Sequence, residues 1–168
     1  MLNIWAMLRN LKKVKKMIDV RNCFTHAYSA GTFADFAQAL TADAASTNVI
    51  DFSANAKVTA GMTKPPWLVV RVVAAFVTLT SLEIALETDT DSGFATVLKE
   101  IMTWHFALGK MTAGALLINQ PFGHWKIQRW IRLYFNVVGS NPGSGSSLIA
   151  YIADGPEPAE VAVDEITL

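Results

Sequence analysis

At 168 residues, the chain is long enough for one ordinary domain and too short for two full ones. Hydrophobic residues make up 52% of it and charged residues only 17%, which excludes wholesale disorder and predicts a sizeable buried core. The formal net charge is zero, and the single cysteine, Cys23, excludes an intramolecular disulfide and a cysteine-based metal site.

Charge is concentrated at the two ends of the chain. Residues 1–22 carry one acid against six basic residues: Arg9, Lys12, Lys13, Lys15, Lys16 and Arg21. The spacing of four apolar side chains in this segment, with Trp5 beside them, predicts an amphipathic basic helix; the four are Ile4, Leu8, Leu11 and Ile18. The helix could be a docking arm, a membrane-surface helix or a solvated extension, and we favour the arm. Residues 154–168 carry five acids and no base, so the pattern indicates interacting termini rather than a nucleic-acid-binding domain.

Between these ends the sequence pattern predicts mainly short strands. A weak helix is predicted over residues 33–40, and from Thr47 the pattern changes to the period of two that is typical of strands. The predicted strands cover residues 47–53, 67–77, 82–88, 96–106, 114–119, 126–138 and 148–154. The nearly continuous β-branched run over 67–77 suits a strand that is buried on both faces. The sequence therefore predicts an all-β fold, an antiparallel β-sandwich of the jelly-roll type.

This pattern divides the chain into three parts. Residues 1–46 form the basic N-terminal helix and arm, 47–154 the sandwich, and 155–168 an extended acidic tail that contains prolines. The most apolar stretch, residues 67–86, includes Arg71 and Glu83, so buried strands explain it better than a transmembrane segment does.

The candidate metal-binding and catalytic motifs are better explained by structural roles. Glu87, Asp89 and Asp91 superficially resemble the start of a calcium loop, but glycine and the terminal glutamate are misplaced, so a hairpin turn is expected. The histidines His26, His105 and His124 show no metal-ligand spacing. No nucleophile motif occurs. We therefore expect no enzyme, no metal and no cofactor.

Aromatic and arginine residues on the longest predicted strand have the composition that protein interfaces favour. The predicted interface comprises Ile4, Trp5, Leu8, Leu11, Trp104, Trp125, Arg129, Trp130, Arg132 and Tyr134. The alternative for the strand residues is a second buried face within the sandwich.

Three segments resemble a known family. The stretches FAQALTADAASTNVIDFS (36–53), LEIALETDTDSGF (82–94) and RWIRLYFNVVGSNPGSGSSLIAYIAD (129–154) are similar, in order and spacing, to parts of the capsid cement proteins of tailed bacteriophages. The resemblance spans about residues 36–154 and implies a jelly-roll-like sandwich, dimeric or trimeric, on the outer surface of the virion. It implies a structural role in which the protein bridges neighbouring major capsid protein subunits. Residues 103–125 depart from the family's pattern.

The alternative function is a carbohydrate-binding jelly roll on a virion or cell surface, in which Trp104 and Trp125 stack on sugar rings. The expected partners are the major capsid protein and further copies of this chain, with no nucleic acid, membrane or small-molecule substrate.

Overall fold

A computed structural model describes residues 22–26, 28–29, 32–33, 36–52, 65–96, 98–122, 126–143 and 145–157. The predicted N-terminal helix, with Ile4, Trp5, Leu8 and Leu11, lies outside these residues, as do His124 and Trp125 and the tail from residue 158.

The described residues form strands joined by turns and loops. The strands are β1 (Tyr28–Ser29), β2 (Thr32–Phe33), β3 (Gln38–Ala39), β4 (Ala44–Ala45), β5 (Ile50–Asp51), β6 (Trp67–Ala74), β7 (Leu79–Asp89), β8 (Lys99–Ala107), β9 (Leu116–Pro121), β10 (Trp130–Gly139) and β11 (Ser147–Ala153). A 3-10 turn covers Leu108–Lys110. In this part of the chain no helix is long and apolar enough to cross a bilayer. Each strand predicted from residue 47 onward corresponds to one of β5–β11.

The weak helix over residues 33–40 is wrong. Residues 38–39 form β3, which pairs with β11, and the backbone N–H of Leu40 donates to the carbonyl of Ser146. The Gln38 side chain accepts from Thr47 N and donates to Ala45 O. Pairing with a distant strand supplies the backbone hydrogen bonds, and it outweighs a weak local helical preference.

Two antiparallel sheets make up the body. In sheet I the order is β4-β10-β7-β8, and β5 pairs with β10 next to β4; in sheet II the order is β3-β11-β6-β9. The predicted all-β sandwich is confirmed. Residues 38–45 contribute strands to both sheets, upstream of the start predicted at 47.

The core lies between the facing sides of the two sheets. Because successive residues of a strand point to opposite faces, every second side chain points into this interior. Its completely buried members are Leu68, Val70 and Val72 from β6, Leu82, Ile84 and Leu86 from β7, Ile131, Leu133 and Phe135 from β10, and Leu148 and Ala150 from β11. The sheets therefore adhere through aliphatic and phenylalanine side chains from their central strands.

The outer side of sheet II is also buried, and this explains the unbroken apolar run of β6. Val69 is completely buried with Cys23 and Ile149 in a second apolar cluster. Arg71 is only 2% exposed, and its Nη1 donates to Gly114 O at 2.7 Å. The prediction that β6 is buried on both faces is confirmed. Sheet I is different, because its outer side carries polar and aromatic side chains that are partly exposed.

Gly139 ends β10 with a backbone that requires glycine, since its φ is +96°. A Cβ there would collide with Thr80 Oγ1 and lie 3.0 Å from Thr80 N. We expect Gly139→Ala to lower the free energy of unfolding by about 2 kcal/mol in urea denaturation. At Gly145 the φ is +108°, but an added Cβ would have no neighbouring atom within 4 Å, so Gly145→Ala should lower the free energy of unfolding by about 1 kcal/mol. Gly109→Ala has neither problem and should be near neutral; equal losses for all three would contradict the local geometry.

Candidate protein-interaction face

The outer side of sheet I presents a stripe from β10. Ile131, Leu133 and Phe135 are completely buried, whereas Trp130, Arg132, Tyr134 and Asn136 alternate with them and are partly exposed. The sequence predicted this division of β10 into two faces, and the structure confirms it. The stripe is not a second buried face inside the sandwich, because the core of sheet I lies on the other side. We call this stripe, with the side chains that contact it, the β10 face.

Arg132 stands at the centre of the β10 face. Its Nε lies 2.6 Å from Glu87 Oε2, and the side chains of the two residues are only 18% and 10% exposed. The guanidinium carbon lies 4.3 Å from the centre of the Phe94 ring and 5.8 Å from that of Tyr134. Charge pairing and ring contacts therefore hold Arg132 in one orientation.

Arg129 and Trp130 form the edge of the β10 face where β10 begins. Arg129 Nε and Nη2 donate to the two carboxylate oxygens of Asp51 at 3.1 and 3.0 Å, a paired geometry that orients the guanidinium. The hydrogen bond that Arg129 donates to Asp51 raises the pKa of Arg129. Its guanidinium carbon is 5.0 Å from the Trp130 ring centre. Because the Arg129 side chain is 52% exposed, a partner could still contact it.

A polar row closes the other end of the β10 face. Glu83 accepts from Asn136 Nδ2 at 2.9 Å through one carboxylate oxygen, and the other lies 3.1 Å from His105 Nδ1. The three residues are neighbours across β10, β7 and β8. The His105 side chain is 65% exposed, so the row ends at an accessible imidazole.

The turn between β7 and β8 supports the β10 face. The carboxylate of Asp89 is completely buried and accepts from Asp91 N at 3.0 Å and from Thr96 Oγ1 at 2.7 Å. This turn carries Phe94, whose φ is +55°, beneath Arg132. A non-glycine residue held at positive φ is locally strained, so the surrounding contacts must fix it.

The same contacts account for the segment that resembles a calcium loop. Glu87 pairs with Arg132, Asp89 accepts from the turn, and Asp91 Oδ2 accepts from Gly93 N at 2.9 Å. The segment forms a turn, as the sequence predicted. Among the described residues, no group of three or more His, Cys, Asp or Glu side chains is placed to hold a metal ion.

The remaining predicted residues lie elsewhere. Trp104 is opposite Ile84 in the β7–β8 register, so it faces the core side of sheet I; it is partly buried there, and its Nε1 donates to Gln120 at 3.3 Å. The structure therefore does not bring Trp104 to the β10 face. Cys23 is completely buried beside Ala150 O, and burial raises the pKa of its thiol. His26 is buried and stacks on Phe36 at a centroid distance of 4.6 Å.

The predicted interface lacked six members of the β10 face: Asp51, Glu83, Glu87, Phe94, His105 and Asn136. One signal was present, because the alternation of β7 places Glu83 and Glu87 opposite its apolar face. Which side chain each acid meets depends on strand register, which the alternation alone does not give.

Comparison with known proteins identifies the family to which the chain belongs. A search of curated proteins finds no match. The family model named Bbp16 matches residues 33–149, well over half of the chain and all of β3 through β10. The family name indicates a phage-related protein. By the extent of this match, the chain belongs to the Bbp16 family.

Proposed function

We propose that the protein is a structural virion component that binds the outside of a phage capsid and bridges neighbouring major capsid protein subunits. The observation that carries the proposal is the match to a phage-related family over nearly the whole sandwich. The strand order supports the proposal. From β5 to β11 the chain passes to the other sheet at every connection except the β7–β8 hairpin, and this alternation between sheets is typical of a jelly roll.

The β10 face is the proposed contact with the capsid. Arginine, tryptophan and tyrosine are the residues that contribute most at protein interfaces. Here ion pairs and ring contacts fix Arg129 and Arg132 in advance, so binding orders few side chains and loses little conformational entropy. The face offers both charge signs, through the Arg129–Asp51 and Arg132–Glu87 pairs, and therefore fits a polar protein surface better than a uniformly charged polymer such as nucleic acid.

If this protein binds the assembled shell and not the dissociated capsid subunits, its binding stabilises the shell by mass action. If the protein acts as a dimer or trimer, later contacts form at high effective concentration, and weak individual contacts suffice.

The test is binding to purified shells of the matching major capsid protein, quantified by co-sedimentation. We expect the wild-type protein to saturate the shells and the double variant Arg129→Ala/Trp130→Ala to bind about thirtyfold more weakly, as a loss of ~2 kcal/mol implies. Val77→Ser, which changes a 63% exposed side chain in the β6–β7 connection, is the matched control and should bind normally.

Two outcomes would count against the proposal in different ways. Failure of the wild-type protein to bind shells would overturn the capsid function. Normal binding by the double variant, with a thermal unfolding profile like that of the wild type, would overturn the assignment of the β10 face as the contact.

A further inference from the structure

An apolar groove lies along the open side of the sandwich, between the last strands of the two sheets. β8 pairs with β7 and β9 pairs with β6, and within the described residues neither has a second neighbouring strand. The groove has a volume of about 600 Å³ and is lined by residues 105–107, Lys110 and residues 115–117. Its walls are mainly aliphatic and aromatic, and its two basic groups are His105 and Lys110.

The C-terminal segment is held next to this groove. Asn119 of β9 binds the backbone of Glu157 twice: its Oδ1 accepts from Glu157 N at 3.1 Å, and its Nδ2 donates to Glu157 O at 3.0 Å. Asn119 is two residues along β9 from Leu117, which lines the groove, a distance of about 7 Å at the rise of a strand. The described chain therefore ends at Glu157, beside β9, and the eleven residues 158–168 would span up to about 36 Å if they were extended.

The composition of residues 158–168 complements the groove. Ala159, Val161 and Val163 share one parity, and Glu160, Ala162 and Asp164 share the other. From Ala159 to Asp164 this is the pattern of a strand with one apolar face; after it, Glu165 has the parity of the valines, and Ile166 and Leu168 have that of the acids. The acids of the segment are opposite in charge to Lys110, which is exposed at the groove.

We propose that residues 158–168 dock in the β8–β9 groove of their own chain through the stretch 159–164, with the side of Ala159, Val161 and Val163 towards its apolar walls and with Glu160 and Asp164 towards Lys110. Docking would cover the free edges of β8 and β9, which are otherwise templates for pairing with other chains. This inference does not depend on the capsid function.

The test is hydrogen exchange measured by mass spectrometry on the full-length protein. In Val161→Asp/Val163→Asp, we expect amides in residues 105–107 and 115–117 to exchange about tenfold faster than in the wild type. Ala162→Asp, which adds a charge on the opposite parity, is the matched control and should leave exchange there unchanged. Amides in the centres of β7 and β10 should keep wild-type protection in both variants, which establishes that the sandwich is intact.

A charge exchange provides an independent arm. Lys110→Glu should speed exchange at the groove, and adding Asp164→Lys to it should restore protection. Wild-type exchange in Val161→Asp/Val163→Asp would overturn the proposal. Groove protection that disappears on dilution would also overturn it, because it would show that the segment docks on a second copy.

Discussion

Phe135→Ala is expected to lower the free energy of unfolding by about 4 kcal/mol, from lost burial plus the cavity left behind. Phe135 is completely buried at the centre of β10, between β4 on one side and β7 on the other, and it belongs to the core shared by both sheets. Domains of this size are usually stable by only about 5–15 kcal/mol, so the loss would be a large share of the total. Urea denaturation followed by tryptophan fluorescence measures it.

The neighbouring residue provides the control. Tyr134 occupies the same strand but points to the β10 face and is partly exposed. Tyr134→Ala removes a side chain of similar size and should cost about 1 kcal/mol, since most of its apolar area is not packed in the core. Equal losses for the two variants would show that β10 does not divide the buried interior from the outer face.

Arg132→Met is expected to destabilise the protein by about 3 kcal/mol, because it leaves the Glu87 carboxylate without its cation in a largely buried position. The same substitution at Arg129 is the matched control. The side chains of Arg129 and Asp51 are 52% and 32% exposed, so water can solvate the remaining carboxylate and the loss of stability should be much smaller than in Arg132→Met.

A double variant separates the ion pair from general damage to the β10 face. In Arg132→Met/Glu87→Leu both charges are gone, and replacing a buried pair by apolar groups is often close to neutral. Unfolding measured by urea should therefore recover most of the stability lost in Arg132→Met. If the double variant is as unstable as the single one, packing around Phe94 rather than the unpaired carboxylate is responsible.

These effects depend on a division of labour between the two sheets. Within the part of the chain that the structure describes, the centre of the outer side of sheet II is buried against Cys23 and its neighbours. Sheet I keeps the charged and aromatic residues of the β10 face partly exposed, and holds them with contacts across three strands. The proposed capsid contact therefore lies on the sheet whose outer side is open.

The sequence by itself determined the strands from residue 47 onward and the sidedness of the central ones. Alternation in β7 and β10 assigns each side chain to the core or to the outside, because a strand turns successive residues to opposite faces. The unbroken apolar run of β6 likewise indicated burial on both faces.

Only the tertiary structure decided which residues meet. Residues 38–39 became a strand because β11 offers hydrogen bonds that no local pattern reveals. Arg132 meets Glu87 and Phe94, and Trp104 faces the core, because register and the β7–β8 bulge set those positions. Such pairings join residues dozens of positions apart, and local periodicity carries no information about contacts at that separation.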